Sequence, residues 1–460
     1  MMKSVVQGLA IFAATAIGIG AAGWVSAEQL DPNLLSFSDD TGTIRTVNTA
    51  GPLDTTNPFF QSLGTNGRSC ATCHQASDAW TVTPAHLRER FVHSQGLDPI
   101  FRANDGSNCE GASLTTLPQR RAAFSLLLNK GLVRIGLTVP SDAEFVVVGV
   151  DDPYRCGGSL QNVSAYRRVL PSTNLRFLST VMWDGRETKP GLPIADDLKS
   201  QARDAILGHA QAVLTPTDAE IQSIVSFETA LFTAQARDDK AGSLRGDGAL
   251  GGPMELSRQP FFIGINDPLG GNPAGTAFDP RTFALFDRWM RSRRNSGDER
   301  VDARAAIGRG ETLFNTRPVV ITGVAGLNDN PAVGAAFTGT CTTCHDTPNS
   351  GNHSVTAPLN IGLTDVSNRT PDLPLYTLRN KATGDEIQTS DPGRAMISGK
   401  WKDVGKFKGP ILRGLAGRAP YFHNGSAATI AEAVDFYDTR FALKLTMHEK
   451  SDLIAFLLAL

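Results

Sequence analysis

The chain has 460 residues, 41% of them hydrophobic and 20% charged, which is enough for two or three domains with real apolar cores. Its formal net charge of −2 excludes a broadly basic, nucleic-acid-binding surface. Charge balance does not identify a protein partner, because docking patches between redox proteins are local.

In chain order, Lys3 precedes an apolar, small-residue stretch over 9–22. Val25-Ser26-Ala27 then offers small residues for cleavage before Glu28. Residues 1–27 are therefore expected to be an export signal. Left uncut, residues 5–25 would just span a bilayer and anchor the protein. Residues 28–69 are rich in Asp, Thr, Asn, Gly and Pro and read as a looping lead-in. Next comes Cys70-Ala71-Thr72-Cys73-His74, and the same pattern returns at Cys341-Thr342-Thr343-Cys344-His345. CxxCH is the attachment signature of c-type haem: the thiols add to the two vinyl groups and the histidine ligates iron. One short turn has to present both sulfurs and the imidazole to one macrocycle. The competing reading, a zinc or redox CxxC, lacks the partner Cys or His ligands that zinc needs. Two covalently bound haem c groups follow, with His74 and His345 as iron ligands. Such attachment takes place outside the cytoplasm, so a periplasmic protein is expected. Cys109 and Cys156 remain, and in an oxidising compartment they most simply pair.

Short helices are predicted over 84–91 and over 120–130, the second ended by Gly131. Residues 144–150 (EFVVVGV) form the one convincing strand candidate. Thr217 with Glu220 makes a capping box for a helix whose apolar stripe runs Ile221, Ile224, Val225, Leu231 and Phe232. From about residue 237 to 280 the pattern dissolves into Gly, Pro, Asp and Asn, as in an interdomain linker. Helical character returns over 283–291 and 304–314. Thr429 with Glu432 and Thr446 with Glu449 cap two last helices. The expected fold is mainly α, two cytochrome-c-like haem domains with long loops and little β structure. The boundaries fall at 28–250 for an N-terminal haem domain, 251–300 for a linker and 301–460 for a C-terminal haem domain.

Two further stretches carry a resemblance. The first is Trp183-Asp184-Gly185-Arg186 followed by Leu198-Lys199-Ser200-Gln201-Ala202. The second is Phe407-Lys408-Gly409-Pro410-Ile411-Leu412-Arg413 leading to Ala419-Pro420-Tyr421-Phe422-His423-Asn424-Gly425. With the two CxxCH motifs in this order, the chain from about residue 58 onward resembles the bacterial di-haem cytochrome c peroxidase family. That family includes MauG-like enzymes, which oxidise residues of a partner protein. The resemblance implies that hydrogen peroxide reacts at the N-terminal haem and that the C-terminal haem takes in electrons from a small cytochrome or cupredoxin. It places Trp183 between the haems. Arg186 is left to bind a haem propionate or to pin the Asp184 turn. His423 belongs to the loop near the second haem as a hydrogen-bonding residue.

The family's second-haem ligand slot beyond PYFH falls on Tyr437, which is Tyr in the MauG-like group and Met in the peroxidases; Met447 is the competing ligand here. At the first haem, the family's proton-moving glutamate lies ten residues past its glutamine. That glutamine is Gln201 here, and the glutamate position holds Gln211, which cannot accept a proton near neutral pH. Ala205 stands where the family has proline. His209 is open to three readings: proton carrier, iron ligand or polar helix residue. His86 and His93 are alternative distal ligands. The family's bridging calcium finds no clean asparagine here, and Arg418 stands where a threonine usually contributes, which leaves Ca2+ open. Three functions follow: a peroxidase, a MauG-like oxidant of a protein or organic substrate, and a plain electron-transfer cytochrome. The motif set as a whole favours the peroxidase.

Overall fold

The computed structural model describes residues 32–291 and 296–460, so the predicted signal at 1–27 lies outside the described residues. In chain order the first half carries β1 (Leu34–Asp39), β2 (Gly42–Asn48), α1 (Pro84–Ser94), α2 (Leu117–Ala123), α3 (Ser125–Lys130), β3 (Leu132–Thr138), β4 (Phe145–Asp151) and β5 (Asn162–Arg168). It continues with α4 (Ile194–Gly208), α5 (Asp218–Ala230), β6 (Leu231–Asp238), β7 (Gly242–Ser243) and α6 (Pro253–Leu256). The second half carries α7 (Glu299–Thr316), β8 (Val319–Thr322), β9 (Ala336–Gly339), β10 (Leu375–Asn380), β11 (Glu386–Thr389), α8 (Ala395–Ser398), α9 (Ile430–Arg440) and α10 (Met447–Leu458).

This corrects the mainly α expectation. Among the described residues helix accounts for 30% and strand for 17%, the strands falling into four sheets. The reason is physical. Several strands bury polar side chains, among them Thr46, Arg134, Arg167, Arg168, Thr233 and Gln235, so their inward faces carry no apolar alternation. The 28–69 lead-in begins with a hairpin, β1 against β2, and β2 then pairs antiparallel with β6. The stripe assigned to one helix is also divided. α5 ends at Ala230, and Leu231 and Phe232 open β6. Residues 283–291 form only a 3-10 turn at Asp287–Arg291, although Phe283, Leu285, Phe286 and Trp289 are buried in the core around α7 and α10. The strand predicted at 144–150 is β4.

Sheet pairing joins the two halves. β4 of the first half lies antiparallel beside β10 of the second, and β10 also pairs with β11. Capping chemistry sets the helix ends as predicted: Thr217, Thr429 and Thr446 each accept the backbone N–H three residues on. α7 and α10 cross closely because Gly310 has no side chain. A Cβ there would meet the Asp452 carbonyl oxygen at 2.0 Å. No helix among the described residues is long and apolar enough to cross a membrane.

Cys109 and Cys156 form a disulfide across 47 residues. In the chain-entropy treatment a loop of that length adds about 4 kcal/mol by restricting the unfolded chain. The double variant Cys109→Ser/Cys156→Ser should lose up to that amount in equilibrium denaturation, with both CxxCH sites still occupied. A denaturation midpoint equal to that of the parent protein would show that the crosslink adds nothing.

Candidate functional site

Both CxxCH segments fold as the same tight turn. In the first, Cys73 and His74 donate backbone N–H groups to the Cys70 carbonyl at 3.1 and 3.0 Å; in the second, Cys344 and His345 donate to Cys341 at 3.3 and 3.2 Å. A hydroxyl tightens each turn from inside, Thr72 accepting from Ser69 N at 2.9 Å and Thr343 from Thr340 N at 3.0 Å. The imidazoles are set alike. His74 Nδ1 lies 3.0 Å from the Trp80 carbonyl oxygen and His345 Nδ1 lies 2.6 Å from that of Gly351. A carbonyl only accepts, so Nδ1 carries the proton and Nε2 keeps a free lone pair. Burial pushes His74 down to about 4 and lowers His345 too, so both rings are neutral and ready to ligate a metal.

Each turn opens on its own cavity. The first, of about 190 Å³, is lined by Cys70, Cys73 and His74 together with Leu175, Leu178, Val181, Met182 and the inner face of α4, including Leu198, Ala202 and Ile206. The second, of about 240 Å³, is lined by Cys341, Cys344, His345, Phe314, Val319, Ile321, Phe441 and Leu453. Trp183 lines both, so one indole stands in the wall between them. Its Nε1 donates to the Arg168 carbonyl at 2.8 Å and its ring meets His423 edge-on at 6.1 Å.

The cavities suit haem on three counts. All four thiols are unpaired and half-buried, and desolvation raises each of them. Arg168, Lys408 and Arg418 line both cavities, and among the described residues none has a carboxylate within ion-pair distance. Their donors reach only backbone carbonyls, such as Thr180 for Lys408 at 3.1 Å and Val82 for Arg168 at 2.7 Å. Burial pushes Lys408 down to about 7, and Arg168 and Arg418 down to about 10. Buried cations call for an anion, and haem brings propionates. Third, His423 is 1% exposed in the second cavity, and neither ring nitrogen is hydrogen-bonded within the chain.

The other predicted residues are distributed unevenly. Gln201, Ala205 and His209 line the first cavity. Gln211 does not; it is exposed, and its side-chain oxygen accepts from Asn66 at 3.3 Å. Arg186 lines the first cavity and also bonds Asp184 at 3.1 Å, so both of its expected roles are open to it together. Tyr437 lines the second cavity, stacked on Phe441 at 6.2 Å, and burial raises its phenol. Met447 is 88% exposed. His86 pairs with Asp78 and His93 with Glu89, both outside the two cavities. No cluster of three or more His, Cys, Asp or Glu side chains forms a metal site among the described residues, and the guanidinium of Arg418 occupies the shared wall.

Sequence reading missed Glu228, Asp105 and Arg68, all in the first cavity lining. Glu228 was detectable as a carboxylate on the apolar stripe of α5; it is buried with one oxygen unpartnered, and burial pushes it up to about 8. Nothing in the local sequence marks Asp105 or Arg68, which are brought together only by the fold.

At the lining of the first cavity, Arg167 is buried between two carboxylates. It bonds Asp391 through two nitrogens at 2.7 and 2.9 Å and pairs with Asp184 on its other side. Arg167 and Arg186 pull Asp184 down to about 2 against its own burial. Its stabilising effect is therefore complete above the ordinary carboxylate pKa of about 4 and is lost as pH falls toward 2. Asp391→Asn, which leaves Arg167 short of a charge partner, should cost about 3–5 kcal/mol in denaturant unfolding. A loss under about 1 kcal/mol would show that water relieves the site.

No described family profile matches the chain. It is 31% identical over 195 residues to the protein named cytochrome-c peroxidase IdrP1 of Pseudomonas sp. strain SCT, covering 38% of this chain and 43% of that one. It is 35% identical over 136 residues to the protein named cytochrome-c peroxidase IdrP2 of Denitromonas iodatirespirans, covering 26% and 36%. The chain thus spans less than half the length of these relatives. A solved structure titled as a MauG-like protein associated with microbial copper homeostasis superposes only loosely, with a TM-score of 0.37 and 16% identity over 88% of this chain and 87% of that one.

Proposed function

We propose that this chain, which belongs to the bacterial di-haem cytochrome c peroxidase and MauG-like family, is an exported peroxidase that holds two haem c groups and reduces hydrogen peroxide to water. The observation that carries the reading is the pair of CxxCH cavities separated by a wall in which Trp183 faces both. Cys70 and Cys73 would hold one haem and Cys341 and Cys344 the other, with His74 and His345 as ligands. Bound haem supplies an iron that exchanges electrons with peroxide.

The chain's own residues do the rest. The buried Arg168 and Lys408 and the half-buried Arg418 line both cavities and would hold the propionates of bound haem. Apolar side chains of α4 and of residues 175–182 limit water in the first cavity. The indole of Trp183, fixed by its bond to Arg168, gives electrons a short aromatic path from the second cavity to the first. A small cytochrome or cupredoxin outside the cytoplasm is the donor this arrangement suits.

One observation favours a second reading. Tyr437 lines the second cavity while Met447 lies at the surface. A phenolate is a hard ligand that favours oxidised iron, which suits MauG-like oxidation of a partner protein or organic substrate.

The test is the purified holoprotein. It should carry two haems that survive acidified organic solvent, and the reduced form should consume one peroxide for every two electrons. A single haem, or a reduced protein inert to peroxide, would overturn the peroxidase reading. Trp183→Phe should retain both haems but slow oxidation of the second after peroxide is added; unchanged kinetics would reduce Trp183 to packing. Tyr437→Phe should raise the potential of the second haem and Met447→Leu should leave it in place. The reverse pattern in potentiometric titration would make Met447 the ligand.

A further inference from the structure

Reducing one hydrogen peroxide to two waters takes two electrons and two protons. In addition, a proton on one peroxide oxygen has to move to the other, which leaves as water. The group that carries it takes a proton and returns it, and so ends unchanged. Gln211 is excluded by its chemistry and by its exposed position. Besides the arginines and the haem-motif residues, three carboxyl or imidazole groups line the first cavity: Glu228, Asp105 and His209.

Asp105 has both oxygens committed. Oδ1 accepts from Arg68 at 2.5 Å and Oδ2 faces His209 Nδ1 at 2.5 Å. Burial works against its charge, yet His209 and Arg68 hold its carboxyl below the usual range, so it is an anion fixed between two donors. Glu228 is buried with an unpartnered oxygen and is 5% exposed, so it lacks the contact with water that would resupply its proton. The ring of His209 remains. Its Nδ1 is engaged by Asp105, which leaves Nε2 as its free nitrogen.

We propose that Asp105, clamped by Arg68, is a positioning residue that fixes His209 as the proton carrier of the first cavity. This rests on the peroxidase reading above. A carboxylate on Nδ1–H selects the tautomer whose Nε2 is the acceptor and holds the ring in one orientation. The backbone supports the couple from both sides. Asn66 donates to the His209 carbonyl at 2.7 Å, and Asp105 accepts on its own carbonyl from Arg134 N at 2.7 Å. Arg68 is tied in turn to the Pro99 and Ile100 carbonyls at 2.7 Å each, so the guanidinium cannot swing away. The His209 side chain is 43% exposed, which lets the two protons consumed per turnover arrive from water.

The test uses the holoprotein and the variants His209→Leu, Asp105→Asn, Asp105→Glu and Glu228→Gln, each checked for two covalent haems. The rate constant for reaction with peroxide should fall roughly 10²–10⁴-fold in His209→Leu. It should fall about 10–100-fold in Asp105→Asn and recover most of that loss in Asp105→Glu. Cyanide uptake by the oxidised protein, followed optically, gives a readout independent of turnover, because hydrogen cyanide gives up a proton as it binds. It should slow in the same order. Asp105→Asn rates equal to the parent's would overturn the positioning role. A change of the first haem from six- to five-coordinate in His209→Leu would make His209 an iron ligand and overturn the proposal. Loss confined to Glu228→Gln would move the role to Glu228 and overturn it as well. If cyanide uptake follows the predicted order while the reduced parent protein is inert to peroxide, the couple stands and the peroxidase reading fails.

Discussion

A single guanidinium, Arg167, buried between Asp184 and Asp391, sets the geometry of the region between the two cavities. Arg167 is the penultimate residue of β5, Asp184 follows Trp183, and Asp391 lies 224 residues beyond Arg167, just after β11. An ion pair this deeply buried gains little net stability, because desolvation offsets most of the attraction. What it supplies is registry: three segments far apart in sequence can meet in only one way without stranding a charge. The Phe407 ring lies 5.6 Å from Arg167 and stacks on His423 at 3.8 Å, and His423 meets Trp183. The wall between the cavities is therefore positioned by electrostatics at one end and by ring packing at the other.

The same dependence of site on scaffold appears at the first histidine. Trp80, whose carbonyl accepts from His74, is itself held by its indole N–H to Thr46 on β2, and Thr46 shares a 2.7 Å bond with Thr233 on β6. The imidazole is thus oriented by a β-sheet, through one backbone carbonyl. In the second half the equivalent support is helical. Phe314 of α7 packs against His345 at 5.9 Å, and the close crossing of α7 and α10 fixes that ring. Two five-residue segments of the same CxxCH pattern reach the same local geometry from different surroundings.

This explains what was legible in the sequence. Motifs whose chemistry is local could be read directly: both CxxCH turns, the three threonine caps and the β4 strand. The β-sheet content was not legible, because Thr46, Arg167, Arg168, Thr233 and Gln235 are buried on strands by hydrogen bonds and ion pairs that a hydrophobic pattern does not register. The site was legible in part for a related reason. Counting from Gln201 led to Gln211, but the chain leaves α4 at His209 and Gln211 adopts a left-handed φ of 56°, which carries it out of the cavity. A residue count holds only while the backbone keeps one conformation. Asp105 and Arg68, 37 residues apart, are joined to His209 by the fold alone.

The two cavities share a wall and an attachment chemistry, yet their remaining linings differ in kind. The first contains Asp105, a half-exposed His209 and Glu228 beside its apolar faces, so it has polar groups and a route to water. The second is lined by Phe314, Phe422, Tyr437 and Phe441 with leucines from α10, and its imidazole at His423 is buried and neutral. Proton movement requires titratable groups in contact with solvent. Holding an electron or an oxidising equivalent without side reaction requires that water be kept away. A chain doing both, as proposed above, would have to separate them in space while keeping them close enough to exchange charge, and the wall that the two cavities share at Trp183 meets both conditions.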